Sequence, residues 1–88
     1  MTMGISEVVK EYTLFMELYQ FTVKGRIVRD LHDGKFYWDV SHFYKPSENA
    51  DLNIPSTRSS DVYEDVERWL MKYLKEFKEI GVKKNELY

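Results

Sequence analysis

The spacing of apolar residues in the last third of the chain predicts an amphipathic helix from Asp61 to Ile80. Apolar side chains recur at steps of three and four residues, at Val62, Val66, Trp69, Leu70, Tyr73, Leu74, Phe77 and Ile80. This spacing places them in one stripe along a helix. Asp61 can cap the free amides at the start, and Gly81 can take the left-handed conformation that ends a helix. We expect a long C-terminal helix with one buried face.

The alternation of apolar and polar residues on either side of the turn signal at residues 32–35 predicts a β-hairpin. The strand before the turn runs from about Gln20 to Leu31. The strand after it carries three apolar residues on one face: Phe36, Trp38 and Val40. A two-residue loop would place Leu31 opposite Phe36 and Ile27 opposite Val40. We expect this face and the stripe of the helix to form the core.

The N-terminal segment fits two structures. A helical stripe favours a helix from about Ser6 to Tyr19 and the element order α-β-β-α. Leu14 and Leu18 lie off that stripe, so such a helix would need a partner or a second subunit to bury them. In the alternative, a third strand from Thr13 to Val23 gives the order α-β-β-β-α. Both readings describe a single α+β domain, residues 1–88, with a two- or three-stranded antiparallel sheet under the long helix.

Composition narrows the classes of protein that the chain can belong to. Its 88 residues are 43% hydrophobic and 32% charged, which indicates one soluble domain. The absence of cysteine excludes disulfides, thiolate zinc sites and a cysteine nucleophile. Charged residues interrupt the apolar residues near the N-terminus too early for a signal peptide, and no apolar stretch reaches the length of a membrane span. We therefore expect a cytoplasmic protein. A net charge of -2 gives no general attraction to nucleic acid.

No set of residues predicts catalysis, a metal or a cofactor. His42 could act as a base, but a histidine at the edge of a core is the commoner case. Because neighbouring strand residues point to opposite faces, Ser41 and Asp39 are expected to lie away from His42, which excludes a triad within this strand. His32 is a turn residue, and no glycine-rich phosphate loop is present. The acidic residues near Asp61 are explained by a helix start. We expect no enzyme.

The face that carries Tyr37 and Phe43 is a candidate contact surface, because exposed aromatic residues among polar ones suit a protein interface. With Lys24 and Arg26 nearby, the same face could stack bases and bind phosphates of single-stranded nucleic acid or RNA. The α-β-β-β-α order also resembles that of double-stranded RNA-binding domains, in which basic residues at the start of the last helix bind phosphates. Here the corresponding segment, residues 59–65, is acidic.

The sequence therefore predicts a non-enzymatic module that binds another protein or forms a homodimer. The candidate interaction residues are Leu14, Leu18, Tyr37 and Phe43. The alternative is a nucleic-acid-binding domain that uses Lys24 and Arg26. The negative net charge of the chain makes nucleic acid the less expected partner. A small enzyme that uses His42 is a distant third.

Overall fold

The computed structural model describes residues 4–18, 20–55 and 58–88. In chain order the elements are β1 (Ser6–Met16), β2 (Phe21–Asp30), β3 (Phe36–Val40), β4 (His42–Phe43), β5 (Ser59–Ser60), α1 (Tyr63–Lys75) and β6 (Lys83–Lys84). Four strands form an antiparallel sheet in the order β1-β2-β3-β5, while β4 pairs with β6. The α+β class is confirmed, with four strands in the main sheet rather than two or three.

The predicted N-terminal helix is wrong, and with it both predicted element orders. The segment forms β1, which pairs antiparallel with β2 along its whole length, from Ser6 opposite Asp30 to Met16 opposite Phe21. Residues that are β-branched or aromatic are frequent in it, and these favour strands. Pairing with β2 also satisfies the backbone groups of alternate residues, such as Tyr12 and Leu14. The last predicted helical residue, Tyr19, lies outside the described residues.

The predicted long strand from about Gln20 to Leu31 is confirmed as β2, but the predicted register of the hairpin is wrong by two residues. Phe36 lies opposite Arg29 instead of Leu31. The loop is longer than two residues because the Asp30 N–H donates to the Lys35 carbonyl oxygen over 2.9 Å, and Gly34 takes a φ of 74° within it. A shift of two residues keeps every side chain on its predicted face.

The helix is shorter than predicted at its start. It begins at Tyr63, and its N-cap, Val62, has no side-chain cap hydrogen bond. Asp61 therefore does not act as the predicted cap. The Ser60 Oγ instead accepts a 3.0 Å hydrogen bond from the Val62 N–H, so a turn fixed by β5 leads into the helix.

The helix also ends earlier than predicted, with Glu76 as its C-cap. Beyond it the Ile80 carbonyl oxygen accepts a 2.8 Å hydrogen bond from the Lys45 N–H, which holds this segment against the end of β4. Gly81 does adopt the left-handed conformation, with a φ of 56°, but in the connection to β6 rather than at the helix end. The predicted helix-ending motif is therefore wrong.

The core lies between α1 and one face of the main sheet, as predicted. Its buried apolar residues are Met16, Val23, Ile27, Val40, Tyr44, Val66, Leu70, Tyr73 and Leu74. Gly25 lets the helix approach closely, because a Cβ built there would lie 2.7 Å from Cδ1 of Leu70. We call this side of the sheet the helix face and the opposite side the outer face. No helix in the described part of the chain is long and apolar enough to cross a membrane.

Candidate interaction surface

Strand β1 is one of the two edge strands of the main sheet; it is 11 residues long, whereas β5 at the other edge has 2 residues. The hydrogen bonds of the neighbouring strand β2 show in which direction the backbone groups of β1 point. The Lys24 carbonyl oxygen accepts from the Ser41 N–H over 2.8 Å, and the Asp30 N–H donates to Lys35, so these even-numbered residues of β2 bond toward β3. Since the backbone groups of successive residues alternate between the two sides of a strand, the odd-numbered residues bond toward β1.

The pairing of β1 then shows which of its groups point outward. Tyr12 lies opposite Gly25 and Leu14 opposite Val23, so these two residues of β1 bond to β2. The backbone groups of Glu11, Thr13 and Phe15 point to the other side, where the sheet has no further strand within the described ranges. A row of such groups is a template for another strand.

Exposed apolar side chains flank this row at both ends of the strand. They are Ile5 (65% exposed), Val8 (55%), Val9 (42%), Phe15 (56%) and Leu18 (74%). Single exposed apolar residues are ordinary on a protein surface, but several along one open strand mark a contact site. We call the seven residues Ile5, Val8, Val9, Glu11, Thr13, Phe15 and Leu18 the β1 edge.

The β1 edge also carries features that limit indiscriminate strand pairing. The register between β1 and β2 shifts between Val8 and Lys10, which makes Val9 the extra residue of a β-bulge. Lys10 and Glu11 place charge of both signs in the middle of the strand. Bulges and charges are devices that restrict which strands an edge accepts.

The two leucines predicted as interaction residues lie in different surroundings. Leu18 is in the turn after β1 and belongs to the β1 edge. Leu14 lies on the helix face, where it is half-buried and packs against the core. The structure therefore brings Leu18 to the open edge and gives Leu14 a packing role within the chain.

The two predicted aromatic residues do not share a face. Tyr37 lies on the outer face, opposite Val28 in the register between β2 and β3. Phe43 belongs to β4, which pairs with β6 in the other sheet, and it packs against the core. The predicted common face is wrong because the chain bends at Ser41, and the alternation of side chains stops there.

Arg26, one of the two predicted nucleic-acid contacts, is held by other side chains. Its Nη2 lies 3.3 Å from Oδ2 of Asp39, and its guanidinium lies 4.3 Å from the ring centroid of Tyr88. The Tyr88 hydroxyl donates a 2.7 Å hydrogen bond to Oε2 of Glu11. Burial and the Glu11 carboxylate raise the pKa of Tyr88. Lys24 is exposed on the same face.

Ser41 and His42 do meet, contrary to the sequence-based argument. The Ser41 Oγ lies 2.8 Å from Nδ1 of His42, because the bend at Ser41 interrupts the alternation on which that argument relied. The carboxylate of Asp39 contacts Arg26. Burial and the positive charge of Lys84 lower the pKa of His42. Among the described residues, no three potential ligands cluster in a way that could hold a metal ion.

Glu67 and Tyr88 are the main residues that the sequence analysis missed. Oε2 of Glu67 accepts hydrogen bonds from the hydroxyls of Tyr12, over 2.8 Å, and Tyr63, over 3.0 Å. Burial and the contact with Glu67 raise the pKa of Tyr63 to about 12. The bond to Tyr12 joins residues 55 positions apart, so no local spacing signals it.

Comparison with known proteins gives no match from which a function could be inferred, so the fold and the β1 edge are the basis for a proposal. No protein-family model matches the chain, no curated protein matches it, and no solved structure matches it.

Proposed function

We propose that this protein is a non-enzymatic interaction module whose β1 edge pairs with the β1 edge of a second copy. The observation that carries the proposal is the outward direction of the backbone groups of Glu11, Thr13 and Phe15, with exposed apolar side chains at both ends of the row. Strand addition at an open edge supplies affinity through backbone hydrogen bonds and specificity through side chains. The result is one continuous sheet across a two-fold axis.

An antiparallel register centred on Tyr12 satisfies the outward backbone groups. In this register Glu11 of each copy lies opposite Thr13 of the other. Both residues direct their N–H and carbonyl groups outward, so each such pair exchanges two hydrogen bonds. The two-fold axis, perpendicular to the sheet, keeps both helices on the same side.

The same register matches the exposed apolar side chains. Phe15 of one copy lies against Val8 and Val9 of the other, where the bulge sets two residues opposite one. Leu18 then lies beside Ile5 of the other copy. The apolar residues at one end of the β1 edge are thus covered by the apolar residues at the opposite end of the β1 edge in the second copy.

Neighbouring registers fit less well. Centring the pair on Glu11 would set two carboxylates directly opposite each other, which is destabilising. Centring it on Thr13 would place Phe15 opposite Glu11, and Val8 and Val9 beside Glu17. The charges in the middle of the strand therefore select the register centred on Tyr12.

The outer face gives less support to nucleic-acid binding. Arg26 would have to leave both Asp39 and the Tyr88 ring before it could contact a phosphate. The chain carries a net charge of -2, which opposes the approach of a polyanion. These contacts favour a protein partner.

The proposal is tested by the mass of the protein in solution, measured by light scattering for the unaltered chain, Thr13→Pro and Thr13→Ala. Proline at position 13 removes an N–H that points away from β2, so it blocks strand addition while leaving the pairing of β1 with β2 intact. The unaltered chain and Thr13→Ala should show twice the chain mass of 10.6 kDa, and Thr13→Pro should show the chain mass. A monomeric unaltered chain at high concentration would overturn the proposal.

A further inference from the structure

A cavity of about 480 Å³ opens where β2 begins, between the β4–β6 pair and the segment that follows α1. Its lining consists of Phe21, His42, Glu79, Gly81, Val82 and Lys84. Ligand sites in proteins have volumes of about 300–1,000 Å³, mostly apolar walls and a few placed polar groups. The volume of this cavity lies in that range, its wall combines apolar with charged residues, and none of its lining residues belongs to the β1 edge.

Glu79 supplies a polar group without a partner in this cavity. Among the described side chains, its Oε2 is buried and accepts no hydrogen bond. A buried acceptor without a donor costs about 1–3 kcal/mol, so such groups usually have a partner from a bound molecule or water. Glu79 is also one of the residues that line the cavity, so its side chain lies at the cavity wall.

Lys84 brings the opposite charge to the same cavity. The ion pairs of the described chain are Arg26 with Asp39 and Arg68 with Asp65, so Lys84 and Glu79 line one space without pairing across it. The cavity wall therefore holds one acidic and one basic side chain that do not form an ion pair with each other. The ring of Phe21 and the side chain of Val82 supply apolar wall beside them.

His42, which also lines the cavity, is held by a contact with Ser41. The Ser41 Oγ accepts a 2.7 Å hydrogen bond from the Lys24 N–H and lies 2.8 Å from Nδ1 of His42. The ring also packs against Phe21, with 5.3 Å between centroids. These contacts hold the His42 ring in position at the cavity wall. Because its pKa is lowered by burial and by Lys84, the ring adds no positive charge there.

We propose that this cavity binds a small zwitterion, a free α-amino acid with an apolar side chain. Its ammonium group donates to Glu79, its carboxylate pairs with Lys84, and its side chain packs on Phe21 and Val82. Binding is non-covalent and independent of the pairing of two β1 strands.

The test uses the full chain labelled with ¹⁵N and three probes that differ in one group each. L-Leucine carries both charges, leucinamide lacks the carboxylate, and N-acetyl-leucine lacks the ammonium group. Leucine at millimolar concentration should shift the amide signals of His42, Gly81 and Val82. Each blocked analogue should bind at least tenfold more weakly, because it loses a hydrogen bond to a charged group.

Two variants with matched controls link the binding to the proposed groups. Glu79→Gln and Lys84→Met should each weaken leucine binding by about tenfold. Glu76→Gln and Lys83→Met, which change neighbouring exposed residues, should bind leucine as the unaltered chain does. No shift with leucine would overturn the proposal and indicate a cavity filled by water alone. Equal shifts with all three probes would also overturn it, because they would show binding through the leucine side chain without either charge.

Discussion

The hydroxyl of Tyr12 donates a 2.8 Å hydrogen bond to Oε2 of Glu67, and this bond joins the outermost strand of the sheet to the helix. Tyr63, at the start of the helix, donates to the same oxygen over 3.0 Å. One carboxylate therefore fixes the position of Tyr12, the residue on which the proposed pairing of two β1 strands is centred.

The shared carboxylate makes the stability of the fold depend on pH. Hydrogen bonds from Tyr12 and Tyr63 lower the pKa of Glu67. A pKa that is lower in the folded than in the unfolded chain stabilises the fold above the unfolded value, about 4.3, and this contribution is lost as pH falls through the folded pKa. Glu67→Gln should therefore lower the urea midpoint at pH 7 by more than it does at pH 3. Glu76→Gln is the exposed control, and an equal effect of Glu67→Gln at both pH values would contradict the account.

Gly25 is required by the close approach of α1 to the sheet. A Cβ there would lie 2.7 Å from Cδ1 of Leu70, a fully buried side chain, and 3.2 Å from Cδ1 of Leu74. We expect Gly25→Ala to lower the free energy of unfolding by about 1–3 kcal/mol, the usual cost of overpacking a core. Gly4→Ala is the control, because a Cβ at Gly4 meets no atom within 4 Å. Chemical denaturation of both variants tests this, and equal stabilities would show that the helix is further from the sheet.

Leu18 should contribute to association and little to folding. It is 74% exposed, and in the proposed register it lies beside Ile5 of the second copy. Leu18→Glu should raise the dissociation constant of the dimer about tenfold or more, while the stability of the separated chain changes by less than about 0.5 kcal/mol. Ile54→Glu, at an apolar residue 60% exposed and outside the β1 edge, should leave the dimer intact. Sedimentation equilibrium of the two variants distinguishes these outcomes, and an equal loss in both would indicate general charge repulsion.

The sequence predicted which residues of the C-terminal helix are buried but not where the helix ends. The three- and four-residue spacing correctly identified Val66, Leu70 and Tyr73 as core residues. The ends depend on contacts from distant segments, such as the hydrogen bond between Lys45 and Ile80. Local capping patterns carry no information about such contacts.

The N-terminal segment was mispredicted because its apolar residues fit a helical stripe while its residue types favour a strand. Pairing with β2 decides between the two, and pairing is a tertiary effect that single-sequence patterns do not contain. Leu18 was singled out because it lay off the stripe of a helix that does not form. Its exposure arises instead from its place in the turn after an outer strand. Glu67, Glu79 and Tyr88 had no signal because their surroundings are assembled from distant parts of the chain.

A single cysteine in place of Tyr12 tests the proposed pairing most directly. The chain has no cysteine of its own, so any disulfide must join two copies. Residues opposite each other without shared hydrogen bonds in an antiparallel pair have Cα atoms about 4.5 Å apart, within the range for a disulfide. Lys10→Cys, on the same face of the strand, would lie opposite Leu14 of the other copy and serves as the control. We expect mild oxidation to yield a covalent dimer for Tyr12→Cys and not for Lys10→Cys. Equal cross-linking of the two variants, or none in Tyr12→Cys, would contradict the proposed pairing.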